Sequence, residues 1–294
     1  MSEGVLLGGI LTLPDDSSPC PAVVVAHGAQ AGSRDYFLYR HLADLLRSCE
    51  VGTFRFDRRG EGASAGSSDA PFTQLARDVG NATAAVGSHP RVDAGRMALW
   101  GLSQGGWIVV LSALHGPPIA GLVVVSGTPV TPAQQMKHAV AQILRRRGYD
   151  HAVVEDALEL RAAVERAAKG ELTVADVEPL VDDARYQPWF EDAWIPPLEE
   201  LDWTDMDLDV TRLIPQLQMP TLLVFGDRDP WIPVEESIAL WKSSASPWLD
   251  LRIEIISGVG HEMVAGDPLS IPTEGRPAHD YEQHLSGWVR RVLG

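Results

Sequence analysis

The 294-residue sequence predicts an α/β fold, a mostly parallel central sheet flanked by helices and interrupted once by a mainly helical insertion. Three observations predict it. Short β-branched apolar runs alternate with longer stretches of helical period. Most of the runs are continuously apolar, as strands covered on both faces require. The alternation then stops for about 90 residues between Ser126 and Thr221, far beyond an ordinary strand-to-helix connection.

Taken in order, the apolar stretch 5–13 reads as a first strand; Gly8 and Gly9 interrupt it and no basic leader precedes it, so it does not read as a signal peptide. Strands follow at 22–26, 53–56, 97–100, 122–125, 222–225 and 253–256. Between them Phe37, Leu38, Leu42, Leu45 and Leu46 recur at helical spacing after a candidate N-cap at Ser33. Leu75, Val79, Ala82 and Val86 do the same after Thr73. The first part of the insertion, 131–184, is rich in Ala, Glu and Arg and predicts two or three helices, with Arg145, Arg146 and Arg147 closing one of them before Gly148. The remainder carries Pro188, Pro196 and Pro197 among Trp189, Phe190, Trp194 and Trp203, an irregular aromatic segment. The expected division is a core of 1–130 and 216–294 around an insertion of 131–215.

Composition narrows the function class. With 24 Lys and Arg against 40 Asp and Glu the formal net charge is −16, which repels polyanions and argues against nucleic acid and anionic membranes as partners. No run of about 18 apolar residues is present, so no membrane span is expected and a cytoplasmic location is the default. Cys20 and Cys49 are too few for a disulfide framework and sit in no zinc-binding pattern. Neither a metal nor an organic cofactor is expected, and oligomeric state is not readable from the chain.

The chemistry concentrates in Gly101-Leu102-Ser103-Gln104-Gly105-Gly106, directly after a strand and directly before the apolar stretch 107–111. A G-x-S-x-G at such a junction forms a tight turn that lifts the serine hydroxyl above the sheet edge, at the N-terminus of a helix. Context is decisive, because Gly62-Ala63-Ser64-Ala65-Gly66 matches the same pattern inside a Gly/Ser-rich loop; Ser64 is read as a turn residue. A serine hydroxyl needs a base, and the base needs a group that fixes its tautomer. His261, flanked by Gly258 and Gly260 after the last strand, and Asp229, on the loop after the preceding strand, supply these in the order Ser, acid, His. Asp227 is the rival acid, with turn stabilisation as its plainer role. Developing negative charge calls for two backbone N–H donors. Gln104, after the nucleophile, is one candidate; Ala29, in the loop His27-Gly28-Ala29 after the 22–26 strand, is the other. His27 itself reads as a loop brace.

Together with the segment Phe56-Asp57-Arg58-Arg59-Gly60-Glu61-Gly62, Leu11-Thr12-Leu13-Pro14 and Val92-Asp93-Ala94-Gly95-Arg96, these motifs resemble the α/β-hydrolase superfamily across nearly the whole chain. The likeness is to its dienelactone-hydrolase-like, prolyl-oligopeptidase-like and acyl-thioesterase-like branch. It implies an eight-stranded sheet, for whose first strand the N-terminus here is too short, with the insertion as a cap after the sixth strand. Such a cap would shape a substrate pocket, for which Trp231, Trp189 and Trp194 are the candidate lining residues. The loop at Asp57 to Gly60 is implied to be structural. The expected activity is hydrolysis of an ester, or an amide or thioester, of a small acyl substrate through an acyl-enzyme. Acyl transfer or cyclisation on the same triad, or a lyase or isomerase reaction without an acyl intermediate, are the alternatives. The acids Asp205, Asp207 and Asp209 mimic the start of a calcium loop, but Val210 and Gln216 stand where glycine and glutamate are required.

Overall fold

The computed structural model describes residues 2, 4–15 and 18–294, which form two compact units. The larger unit comprises 1–129, 209–229 and 234–294; the smaller comprises 130–208 and 230–233. Against the expected boundaries, residues 209–215 belong with the core, and the short segment 230–233 clusters with the insertion.

In the larger unit the strands are β1 (Gly9–Thr12), β2 (Cys20–Ala26), β3 (Gly52–Phe56), β4 (Val92–Leu102), β5 (Gly121–Val125), β6 (Thr221–Gly226) and β7 (Leu251–Ile256). They lie in the order β1-β3-β2-β4-β5-β6-β7, and every neighbouring pair is parallel except β1 with β3. Among the described residues the sheet is thus one strand short of eight, and the insertion follows its fifth strand, which becomes the sixth when the missing first is counted. β2, β5 and β6 are buried throughout, which is why their sequences carry no polar alternation. The edge strand β7 is half exposed and carries Arg252 and Glu254, charges that discourage pairing with another chain.

Helices α1 (Phe37–Arg47), α2 (Phe72–Gly87), α3 (Gly105–His115), α7 (Val234–Ser244) and α8 (His279–Leu293) connect or follow the strands. One sheet face, built from Val23, Val25, Trp100, Val123 and Val224, packs against Phe37, Leu38, Leu42 and Leu46 of α1 and Leu285, Trp288 and Val289 of α8. Burying each such large side chain stabilises the fold by about 1.5–3 kcal/mol. The opposite face, with Val124, lies under the start of α3. Helix starts were harder to read. α1 is entered through Tyr36 with no side-chain cap, while Ser33 Oγ accepts from the Asp35 N–H in the preceding turn. α2 begins at Phe72 after Pro71, so Thr73 is an interior residue of its first turn.

The smaller unit holds α4 (Pro132–Arg146), α5 (His151–Ala168) and α6 (Val174–Ala184), then two short 3-10 turns. α4 starts with a reciprocal cap, Thr131 Oγ1 accepting from the Gln134 N–H and Gln134 Oε1 from the Thr131 N–H, and ends ahead of Gly148, whose φ of +89° few other residues tolerate. No helix among the described residues is long and apolar enough to cross a membrane.

Candidate active site

The turn that carries Ser103, the candidate nucleophile, is built by backbone approaching backbone. A Cβ on Gly101 would lie 2.3 Å from the carbonyl oxygen of Gly105, and one on Gly105 would lie 2.5 Å from the carbonyl oxygen of Ala26. Glycine at both positions lets α3 start directly over the ends of β4 and β2. Ser103, between them, is held at φ +53°, a left-handed conformation costly for a residue with a side chain. Its N–H donates to Val125 O at 2.8 Å, and its carbonyl accepts from the Gly106 N–H at 2.8 Å.

Asp229 and His261, the candidate acid and base, follow the ends of β6 and β7. Gly226 closes β6 where a Cβ would meet the carbonyl oxygens of Val259 and Gly260 at 2.5 Å, so the loops after β6 and β7 are pressed together. Within this contact His261 Nδ1 lies 2.7 Å from Asp229 Oδ2. The Asp229 side chain has no exposed surface and that of His261 is 11% exposed. Asp227 takes the other role: its carboxylate accepts from the Gly258 N–H and the Ser257 hydroxyl, stabilising the turn before the histidine. Burial alone would lower the His261 pKa, but the charge and hydrogen bond of Asp229, with Glu262 adding, raise it above its ordinary value. Glu262 is itself buried; burial and the charge of Asp229 raise its carboxyl, and its carboxylate accepts a hydrogen bond from the Tyr36 hydroxyl.

The loop carrying Ala29 is fixed from beneath. His27 Nε2 lies 2.5 Å from Phe56 O, and since a carbonyl can only accept, that nitrogen carries the proton. Burial holds the His27 pKa down to about 4, against the opposing pull of the Phe56 carbonyl. The Gly28 N–H donates to the Tyr39 hydroxyl at 3.0 Å. Arg58 Nη1 donates to Ala29 O at 2.8 Å and contacts Gly28 O and Gln104 Oε1, both at 3.4 Å, while its Nη2 pairs with Glu61. One guanidinium thus connects the two residues expected to donate N–H groups, and among the described residues no backbone hydrogen bond occupies the N–H of Ala29 or Gln104.

Ser64 is a turn residue, buried, donating to Asp57 O and accepting from the Gly8 N–H. Asp57 accepts from the N–H groups of Arg34 and Ala63, and Arg59 pairs with buried Asp78. The pocket tryptophans divide. Trp189, expected to line a pocket, is 6% exposed and packs in the core of the smaller unit with Val140, Leu144 and Leu160. Trp194 and Trp231 stack within that same unit, ring centroids 4.7 Å apart and 5° from parallel. Trp203 Nε1 donates to Asp207, and Asp209 accepts from the Thr211 N–H and pairs with Arg212; among the described residues no group of three or more His, Cys, Asp or Glu could hold a metal.

Sequence reasoning gave no role to Ser126, Tyr36 or Tyr39. Each acts through a hydroxyl on a main-chain or carboxyl partner remote in the chain, a contact that leaves no local pattern.

Comparison with known proteins agrees with this architecture. The structure superposes on proline iminopeptidase of Mycobacterium smegmatis with a TM-score of 0.64 and 19% identity, over 99% of this chain and 97% of that one. A thermophilic esterase from Thermogutta terrifontis gives 0.58 and 22% identity, covering 99% and 95%. Dienelactone hydrolase from Anabaena variabilis gives 0.57 and 16%, covering 100% and 95%. At these identities the likeness is one of fold. The family described as serine aminopeptidase, S33, matches residues 17–268, and over that span the chain belongs to this family of α/β hydrolases.

Proposed function

We propose that the protein is a serine hydrolase that cleaves a carboxylic ester of a small organic molecule through an acyl-enzyme. The observation that supports this reading is the enclosed Asp229–His261 pair, together with the left-handed strand-to-helix turn that carries Ser103. Ser103 Oγ attacks the acyl carbon while His261 takes its proton; Asp229 fixes the Nδ1–H tautomer and stabilises the imidazolium. The N–H groups of Ala29 and Gln104 receive the oxyanion. Collapse expels the alcohol, protonated by His261, and water activated by the same imidazole then releases the acid and restores Ser103.

Amides and thioesters follow the same steps, and an amine or alcohol in place of water turns hydrolysis into acyl transfer or cyclisation. The test is covalent labelling with a fluorophosphonate probe together with a panel of acyl esters, thioesters and aminoacyl arylamides. Ser103→Ala should abolish labelling and reduce turnover by about 10⁴-fold or more. Turnover that survives this substitution would point to a lyase or isomerase.

A further inference from the structure

The residue that closes β5 combines two features that one structural role does not explain. Ser126 is completely buried and sits at φ +48°, a conformation that glycine adopts freely and serine does not. Its hydroxyl, however, donates to the backbone carbonyl of His261 at 2.6 Å, across 135 positions of sequence. On the other side its surroundings belong to the nucleophile: Val125 O accepts the Ser103 N–H, and a Cβ on the following residue, Gly127, would lie 2.5 Å from Val124 Cγ1, 3.2 Å from Gly106 Cα and 3.3 Å from the Ser103 carbonyl oxygen. The Ser126 N–H is anchored to Val224 O at 2.8 Å.

Asp229 fixes the rotation of the imidazole, but it does not fix where the His261 main chain sits relative to the nucleophile's turn. Ser126 does. We propose that Ser126 is a positioning residue for the general base, its hydroxyl fixing the His261 backbone against the strand end that carries Ser103, and that the left-handed strain is retained for this contact. This rests on the hydrolase reading above.

Ser126→Gly relieves the backbone strain and removes the hydroxyl together with the methylene that carries it, whereas Ser126→Ala removes the hydroxyl alone. The thermal midpoint of Ser126→Gly should equal or exceed that of the wild type, while kcat and the rate of fluorophosphonate labelling fall together by about tenfold or more and KM stays within about twofold. Ser126→Ala, which keeps the strain, should lose activity to the same extent and stability as well. Ser126→Gly with wild-type kcat and labelling rate overturns the proposal, as does a loss of activity that only follows a lowered thermal midpoint. Absence of labelling in the wild type defeats the hydrolase reading and this one together; normal wild-type labelling with an unaffected Ser126→Gly defeats this one alone.

Discussion

His261 must be neutral to accept a proton, yet the structure biases it toward the charged form. Because the charge and hydrogen bond of Asp229, together with the charge of Glu262, outweigh burial, the acidic limb of kcat/KM should have its midpoint above the ordinary histidine value of 6.5. Asp229→Asn removes the first of these contributions. The variant should retain about 10⁻⁴ of the wild-type kcat, with the limb moved to lower pH, as a pH–rate profile will record. At this scale the candidate triad was legible because strand, glycine and reactive residue recur together at each strand end, and Asp229 was separable from Asp227 by reach. Arg58 was not legible in the same way: its partners are the carbonyls of Gly28 and Ala29 and the side-chain amide of Gln104, and main-chain carbonyls have no signature in sequence.

Strands were read more accurately than helix starts, for a physical reason. A fully buried parallel strand such as β5 has to be apolar at every position, whereas α1 and α2 start where packing carries them, without the side-chain caps sought at Ser33 and Thr73. β4 also runs back to Val92 through Asp93-Ala94-Gly95-Arg96, which looks like a turn; the register shifts between Cys20 and Ala22 where β2 meets it, and Asp93 accepts from the Gly95 N–H and the Arg96 side chain. The sharpest element-level requirement is the junction of β4 and α3. Gly101→Ala places a methyl group against the main chain of Gly105, which cannot withdraw without moving α3. The expected cost is about 3 kcal/mol in urea denaturation, with activity lost as well.

For the whole molecule, two histidines make stability depend on pH in opposite directions. His27, held near 4 by burial, contributes stability that is complete above its unfolded value of 6.5 and is lost as pH falls through about 4, a change of roughly 3 kcal/mol. His261, with its raised pKa, contributes stability present below 6.5 and lost as pH rises through its folded value. His27→Gln keeps a side-chain donor for Phe56 O without a titrating group. Urea unfolding at pH 7 and pH 4.5 should therefore show a smaller acid-induced loss in this variant than in the wild type. The sheet and the position of the insertion were legible from the alternation of the chain. The grouping of 230–233 with the smaller unit was not, since the contacts that Trp231 makes there, its stacking on Trp194 and its carbonyl accepting from Gln135 Nε2, are remote in sequence.

The close backbone contacts at Gly101, Gly105 and Gly226 have a consequence for divergence. Where main chain rests on main chain, any side chain added at these glycines would clash, so these positions should resist substitution more than the surfaces around them. Descendants of one ancestor can then inherit the same bond-breaking apparatus and come to recognise unrelated molecules.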